Sequence, residues 1–238
     1  MSAEGILGGR PARLVLVDDH ELARDGLRDI LTDVPVVEIV GEAADGREAL
    51  ELCRHARPDL VLMDLRMPRM DGLEATREIK REHPKTSVLV ITMHENPDYL
   101  LEALRAGAAG YLLKDAGQDD VISAIRGVLS GDSPIAPELA ARLLRRLALE
   151  ERERGGSSQG VSRERRGGPY TEPLTPREQE VLGLMKLGYT NRMIGQTLVI
   201  TPGTAKNHVE HIIQKLGVSD RTQAVVKALE LGILELSE

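Results

Sequence analysis

The chain has 238 residues and a formal net charge of −7, which is long enough for one large or two ordinary domains. Phenylalanine and tryptophan are both absent, so a core must be built from Leu, Ile, Val, Ala and Met. The single cysteine, Cys53, excludes an internal disulfide framework and suits a reducing compartment. No stretch approaches the ~20 apolar residues of a membrane span, and no apolar signal region begins the chain, so we expect a soluble intracellular protein.

Charge is distributed unevenly along the chain. Residues 1–130 carry 16 basic and 24 acidic side chains, a net charge of −8. Residues 131–170 have a net charge of +2, and residues 171–238 have a net charge of −1. Because no segment is strongly basic, bulk charge alone does not indicate a nucleic-acid partner.

The first 130 residues alternate between short apolar runs, typical of buried parallel strands, and segments with helical periodicity. Five β and five α elements in strict alternation predict an α/β doubly wound parallel sheet of five strands, with helices on both faces. The predicted strands are Leu14–Val17, Val36–Val40, Leu60–Met63, Val88–Ile91 and Gly110–Leu112, and the predicted helices cover 21–33, 46–56, 72–82, 96–107 and 118–130.

The segment from 131 to 170 separates this alternating region from a second one. Residues 131–149 begin as a turn and then have the pattern of an amphipathic connector helix. Residues 151–169 contain five glycines and mixed charge without apolar periodicity, which is typical of a flexible linker. From Leu174 the pattern is helical to the end, so we predict a small all-α domain over 171–238.

Chemically reactive side chains follow several of the predicted strands, where ligands bind in an open α/β sheet. Three carboxylates at one edge would repel each other unless a hard cation such as Mg²⁺ lies among them. A lysine would add a second positive charge and a threonine a hydroxyl donor, giving a site that can accept a phosphoryl group. Acidic residues are also common in loops after strands, but five such side chains at successive strand ends favour a site. They are Asp18, Asp19, Asp64, Thr92 and Lys114.

The stretches VDDH, DLRMPRMDG, ITMHE and GAAGYLLKD resemble the receiver domain of bacterial response regulators, which has a flavodoxin-like fold. The resemblance covers about residues 12–130. It implies that Asp64 is phosphorylated by the phosphohistidine of a sensor histidine kinase. It also implies that Asp19 and Asp64 bind Mg²⁺ together with the backbone carbonyl of Arg66, while Asp18 assists.

The same resemblance assigns a switch to the other strand ends. Thr92 and Lys114 would hold the phosphoryl oxygens, and Tyr111 would change rotamer together with Thr92. Two enzyme classes fit less well. A phosphatase with an aspartyl intermediate needs a second aspartate at position 66, which is Arg66, and a nucleotide-binding enzyme needs a glycine-rich loop that DDHELARDG lacks. We therefore expect no enzyme.

The last domain is predicted to contain four helices with clear start and stop signals. LTPREQEVLGLMKLG begins with a capping box, in which Thr175 and Glu178 are three residues apart, and Pro176 takes the first helical position. The other three helices are NRMIGQTL capped by Thr190, GTAKNHVEHIIQKLG after Thr201 and Pro202, and RTQAVVKALELGIL; Gly188 and Gly217 are the stop signals.

The third of these helices has two different faces when it is projected at 3.6 residues per turn. A short helix, a tight turn and a second helix with a polar outer face match the helix-turn-helix layout, although an ordinary helical bundle has the same pattern. The apolar stripe is Ala205, Val209, Ile212, Ile213 and Leu216, and opposite it lie Gly203, Asn207, Glu210 and Gln214, with Lys206 on the shoulder.

Residues 172–226 resemble the LuxR-type helix-turn-helix of the NarL/FixJ response regulators. The resemblance implies that the third helix is a recognition helix that meets double-stranded DNA. Its implied contacts are Gly203, Thr204, Lys206, Asn207 and Glu210.

Four positions depart from the usual pattern of that helix-turn-helix. Met193 replaces a glutamate that would complete a capping box, and Gly195 replaces an alanine in the helix interior, where glycine costs about 0.5–1 kcal/mol. Ala205 replaces a valine beneath the recognition helix. Glu210 is acidic where a basic residue would aid phosphate contact, and it could accept a hydrogen bond from cytosine N4 or face solvent.

Together, these features predict a cytoplasmic two-component response regulator. Phosphorylation of Asp64 would be relayed by Thr92 and Tyr111 to a dimerising surface, and the homodimer would bind an inverted repeat in DNA to regulate transcription. RNA polymerase is a candidate further partner, and no membrane partner is expected. The hypothesis from another class is a phosphorylation-controlled adaptor whose last domain binds protein instead of DNA.

Overall fold

The structure is a computed structural model that describes residues 10–93, 96–131 and 173–234. The predicted connector helix and linker, apart from Gly131, lie outside the described residues. In the part of the chain that is described, no helix is long and apolar enough to cross a membrane.

The N-terminal part contains a five-stranded, entirely parallel sheet in the order β2-β1-β3-β4-β5. This order confirms the predicted doubly wound α/β fold and places its switch point between β1 and β3. The strands are β1 (Ala12–Val17), β2 (Val37–Ala43), β3 (Leu60–Met63), β4 (Ser87–Thr92) and β5 (Gly110–Leu113), and the helices are α1 (Glu21–Thr32), α2 (Gly46–Ala56), α3 (Gly72–Glu82), α4 (Pro97–Ala106) and α5 (Gln118–Ser130).

Two apolar layers enclose the sheet because successive side chains of a strand point to opposite faces. Leu14 and Leu16 of β1 pack in one layer with residues of α1 and α5, whereas Val15 and Val17 pack in the other with α2 and α3. Cys53 is fully buried in the second layer. Burial raises the pKa of its thiol to about 12, so the cysteine is a protonated core residue.

The second strand is longer than its apolar run. The sequence predicted Val36–Val40, but β2 continues to Ala43 and pairs with β1 as far as Val17. As an edge strand it leaves part of its surface to solvent, so Glu42 can lie within it without an apolar pattern.

The C-terminal part contains the four predicted helices: α6 (Pro176–Lys186), α7 (Asn191–Leu198), α8 (Pro202–Leu216) and α9 (Arg221–Glu230). Side chains cap all four as N-cap acceptors, including the complete capping box of α6. The prediction that the last helix reaches position 234 was wrong. Gly232 takes a left-handed φ of 66°, and the amide of Ile233 turns back to the carbonyl of Ala228 at 2.9 Å.

Candidate functional site

The first strand ends in two acidic residues with different environments. Asp18 is 2 % exposed, whereas the Asp19 side chain is 28 % exposed. The guanidinium of Arg24 donates to the backbone carbonyl of Asp18 at 2.6 Å, and the amide of His20 donates to the Asp18 carboxylate at 3.0 Å. Local contacts within the protein therefore fix the tip of β1.

The third strand places Asp64 beside that tip. Its amide donates to the carbonyl of Val17 at 2.8 Å, which continues the ladder between β1 and β3. Its side chain is buried, and Oδ1 accepts a 2.8 Å hydrogen bond from the amide of Leu65. The other carboxylate oxygen, Oδ2, faces Lys114, the residue that follows β5.

Lys114 joins the two buried carboxylates. Its Nζ lies 2.6 Å from Asp18 Oδ2 and 3.1 Å from Asp64 Oδ2. Burial raises the pKa of Asp64 despite the attraction of Lys114, and the nearby Asp18 raises it further. Burial lowers the pKa of Lys114, but the two carboxylates outweigh it and raise the pKa overall. One ammonium therefore serves two carboxylates at this edge.

Thr92 and Tyr111 are both buried, on the two strands that follow β3 in the sheet. Thr92 is 1 % exposed at the end of β4, and its carbonyl accepts from the amide of Lys114 at 2.9 Å. Tyr111 is fully buried on β5. The strand order thus puts Thr92 between the strand of Asp64 and that of Lys114.

The residues at the strand tips fit a hard divalent cation. Asp18, Asp19 and His20 each offer a ligand atom within 4.8 Å of one another. Asp18, Asp19 and Asp64 provide carboxylate oxygens, the donors that Mg²⁺ prefers. Because Asp18 and Asp64 share the Lys114 ammonium, the two carboxylates outnumber the cation that contacts them.

The predicted two-faced helix is α8, and its burial confirms the projection. Ala205, Val209, Ile212 and Leu216 are buried and Ile213 is partly buried against the other helices. On the same helix, the side chains of Lys206 and Glu210 are 57 % and 54 % exposed, with 3.9 Å between Nζ and Oε1. The residues with implied DNA contacts, Gly203, Thr204, Lys206, Asn207 and Glu210, are all exposed.

The departures in α7 have structural consequences. Thr190 still caps the helix by accepting from the amide of Met193, whose side chain is 42 % exposed. Gly195 is buried, and a Cβ there would lie 2.8 Å from the carbonyl oxygen of Ile200. The missing methyl group therefore lets the turn after α7 approach the helix closely, while Val199 in that turn takes a left-handed φ of 55°.

The sequence did not reveal two charged contacts between residues that are distant in the chain. Arg69 binds Asp45 and Glu48 beside the loop that follows Asp64. Lys215 binds the buried Glu178 within the helical domain. The capping box that contains Glu178 was visible in the sequence, but its basic partner Lys215 was not.

Two family profiles match this arrangement. The response regulator receiver domain matches residues 14–126, and the luxR family of bacterial regulatory proteins matches residues 172–228. A doubly wound sheet with acidic strand tips, followed by a helix-turn-helix, defines the class of response regulators.

The chain is similar to the transcriptional regulatory protein DegU of Brevibacillus brevis, with 41 % identity over 225 residues, which cover 92 % of this chain and 94 % of the relative. The crystal structure of a LuxR-family two-component response regulator from Aurantimonas sp. SI85-9A1 is 38 % identical, covering 60 % of this chain and 99 % of that one, with a TM-score of 0.53. A structure of two RcsB dimers bound to two parallel DNAs is 25 % identical, covering 91 % and 97 %, with a TM-score of 0.52. The chain belongs to the NarL/FixJ-type response regulators and is a two-component transcriptional regulator.

Proposed function

We propose that Asp64 is the phosphoacceptor of this regulator and that its phosphorylation by a sensor histidine kinase controls dimerisation and binding to DNA. The observation that carries the proposal is the buried cluster in which Lys114 Nζ contacts both Asp18 and Asp64. We assign residues 12–130 to the receiver, 131–170 to a connector helix and linker, and 171–238 to the DNA-binding domain. In this cytoplasmic transcription factor the receiver is the substrate of the kinase, and the protein is not itself an enzyme.

The Asp64 carboxylate is suited to attack the phosphorus atom of the phosphohistidine. One carboxylate oxygen can act as the nucleophile while Lys114 stabilises the negative charge at the site. The N–P bond of the kinase phosphohistidine breaks as a P–O bond forms to Asp64, and the histidine nitrogen keeps the electron pair of the broken bond. Lys114 then attracts the new phosphoryl oxygens. Asp19, Asp64 and the carbonyl of Arg66 would hold Mg²⁺, with help from Asp18, and the bound ion would neutralise part of the phosphoryl charge.

The relay to the rest of the receiver begins at Thr92. Its hydroxyl would bond to a phosphoryl oxygen, and the space it leaves would let the buried Tyr111 change rotamer. A ligand shifts a conformational equilibrium only through interactions that differ between the two states. Thr92 supplies such an interaction, so we propose that it couples phosphorylation to the surface that forms the homodimer.

Dimerisation would place two copies of α8 on the half-sites of an inverted repeat in double-stranded DNA. The exposed face of Gly203, Thr204, Lys206, Asn207 and Glu210 would enter the major groove. RNA polymerase would be the downstream partner in transcription. Because segment 171–238 has a net charge of −1, a single copy should bind weakly and the second copy should raise the affinity by proximity.

The phosphoacceptor is tested with acetyl phosphate, Mg²⁺ and mass spectrometry of the intact full-length protein. We expect a single added phosphoryl group, which EDTA prevents and Asp64→Asn abolishes. The matched control is Asp115→Asn, since Asp115 is an exposed carboxylate next to Lys114, and this variant should be phosphorylated normally. Undiminished phosphorylation of Asp64→Asn would refute the assignment.

The relay is tested by light scattering of the phosphorylated variants. Thr92→Ala should still accept the phosphoryl group, because Lys114 remains, but should dimerise poorly. Thr92→Ser keeps the hydroxyl and should dimerise like the parent protein. Full dimerisation of phosphorylated Thr92→Ala would remove Thr92 from the switch.

DNA binding is tested by fluorescence anisotropy of the phosphorylated full-length protein at several salt concentrations. Lys206→Gln should weaken binding and reduce the slope of log K against log salt by about one per bound copy. Lys227→Gln on α9, also an exposed lysine, should leave the slope unchanged. A protein-binding adaptor would instead show no salt-dependent retention on duplex DNA in either phosphorylation state.

A further inference from the structure

The loop between β3 and α3 holds an arginine in an unusual backbone conformation. Arg69 has a left-handed φ of 66°, which is unfavourable for a residue with a Cβ. Its guanidinium forms an ion pair with the carboxylate of Asp45 and a second with Glu48 at 3.0 Å, both at the start of α2. The side-chain contacts therefore oppose the backbone preference and keep this residue in place.

Asp45 is a fixed partner for this arginine. Its side chain is 1 % exposed, and it caps α2 by accepting from the amides of Arg47 at 2.7 Å and Glu48 at 3.0 Å. Burial would raise the pKa of Asp45, but these two amides and Arg69 together lower it. A buried, ionised carboxylate at a helix N-terminus is a rigid point of attachment for the guanidinium.

A second contact fastens the next residue of the loop. The amide of Gly46 donates to the carbonyl of Met70 at 3.1 Å. A Cβ on Gly46 would lie 2.9 Å from the carbonyl oxygen of Met70, so the two backbones are in close contact. The loop is thus held on α2 at two adjacent residues, Arg69 and Met70.

The other end of the loop is fixed against the phosphoacceptor. The amide of Leu65 donates to Asp64 Oδ1, and the amide of Gly72 donates to the carbonyl of Leu65 at 2.9 Å. A Cβ on Gly72 would lie 1.9 Å from the carbonyl oxygen of Asp64. Residues 66–68 therefore lie between two anchored points of the loop, and the carbonyl of Arg66, the proposed metal ligand, belongs to this span.

We propose that Arg69 is a positioning residue, whose ion pairs with Asp45 and Glu48 hold the loop so that the Arg66 carbonyl stays available to the metal beside Asp64. The inference rests on the proposed function, because it assigns the Arg66 carbonyl to the Mg²⁺ site. Without the ion pairs, residue 69 would no longer be held on α2, and the carbonyl three positions earlier would lose its fixed place. The carboxylates of the site would stay unchanged.

The chain offers a matched control for this contact. Arg54 of α2 forms an ion pair with Glu82 of α3, with 2.9 Å between Nε and Oε2. It joins the same two helices that flank the loop, but at the end away from Asp64. If Arg69 only stabilises the packing of these helices, loss of Arg54 should affect the metal site to a similar extent.

The experiment is a titration of the full-length protein with MgCl₂ followed by ¹H–¹⁵N NMR. Arg69→Gln and Arg69→Gly should bind Mg²⁺ about tenfold more weakly, as expected when a residue that orients a metal ligand is lost. Arg69→Lys, which keeps the charge, should recover part of the affinity, and Arg54→Gln should match the parent protein. The glycine variant matters because it removes the ion pairs while relieving the backbone strain.

Each outcome decides the inference. Unchanged Mg²⁺ affinity in Arg69→Gln and Arg69→Gly would overturn it, as would an equal loss in Arg54→Gln. Weak binding by Arg69→Gln with normal binding by Arg69→Gly would show that strain matters and the ion pairs do not, which also overturns it. The proposed function fails separately, if the parent protein neither binds Mg²⁺ nor is phosphorylated at Asp64.

Discussion

Folding shifts the pKa values of two buried carboxylates, Asp64 of the sheet domain and Glu178 of the helical domain, in opposite directions. In the sheet domain, burial raises the pKa of Asp64, so folding disfavours its ionised form. In the helical domain, burial also opposes the charge of Glu178, but Lys215 and the backbone of Thr175 outweigh it and lower its pKa. The charge of Asp64 therefore destabilises the folded sheet domain, whereas the charge of Glu178 stabilises the folded helical domain.

The difference follows from the number of partners. Glu178 accepts from Lys215 Nζ at 2.8 Å and from the amide of Thr175 at 2.7 Å, and Lys215 also reaches the carbonyl of Pro173 at 3.3 Å. Asp64 has the amide of Leu65 but shares Lys114 with Asp18. Incomplete pairing is typical of a functional site, and complete pairing is typical of an architectural contact.

The largest effect is expected when the ion pair between Lys215 and Glu178 is broken. Lys215→Met leaves Glu178 buried without its cation, so we expect a loss of about 3 kcal/mol in the unfolding free energy of the helical domain. Lys206→Met changes an exposed lysine of the same helix, α8, whose partner Glu210 is also exposed, and should cost less than about 1 kcal/mol.

Urea titration of the full-length protein, followed by NMR signals of residues 173–234, measures both values. Equal losses in the two variants would mean that the buried pair has no special role. The control variant must also keep its helical circular dichroism, since Lys206 is proposed to contact DNA and not the core.

The second expected effect is a gain in stability, and it concerns Asp64 of the sheet domain. Because the folded-state pKa of Asp64 is raised, its ionised form destabilises the domain above that pKa. Asp64→Asn should therefore raise the unfolding free energy at neutral pH by on the order of 1 kcal/mol without Mg²⁺. The gain should disappear as the pH falls below the ordinary pKa of an aspartate. A less stable Asp64→Asn at neutral pH would contradict the comparison.

A third test uses pH on the helical domain. The folded-state pKa of Glu178 is lowered, so its contribution to stability is present above the ordinary pKa of a glutamate and is lost as the pH falls through the lowered value. Glu178→Gln should show a weaker decrease of stability over that acidic window, by on the order of 1 kcal/mol. Chemical unfolding at several pH values measures it, and identical pH profiles for the two proteins would argue against this role.

The smallest effect concerns the turn of the helix-turn-helix. Gly195→Ala gains about 0.5–1 kcal/mol of helix propensity, but its Cβ would lie 2.8 Å from the carbonyl oxygen of Ile200. We expect the gain in helix propensity and the cost of this close contact to cancel, so that the unfolding free energy changes by less than about 1 kcal/mol. Gly183→Ala in α6, where a Cβ meets nothing within 4 Å, should show the full gain. A larger gain at position 195 than at 183 would show that the turn yields without cost.

Much of both domains could be predicted from the sequence because local signals and the overall fold agree. The apolar runs located all five strands, since a strand buried on both faces must be continuously apolar, but at the edge strand β2 the run was shorter than the strand. Capping residues such as Thr175 and Thr201 located helix starts in the helical domain. The last helix was overestimated because its apolar pattern continues past Gly232, which ends the helix through backbone conformation and not through polarity.

The sequence by itself determined which side chains stand at the strand tips, because the ends of parallel strands share one edge of a sheet. It also fixed the polar face of α8, because a helix has a constant period. Only the tertiary structure decided how the charges are paired: that Lys114 joins Asp18 to Asp64, that Arg69 reaches back to Asp45, and that Lys215 neutralises Glu178. These partners are separated by tens of residues, and the energy of a charge pair depends on distance and burial, which no local pattern encodes.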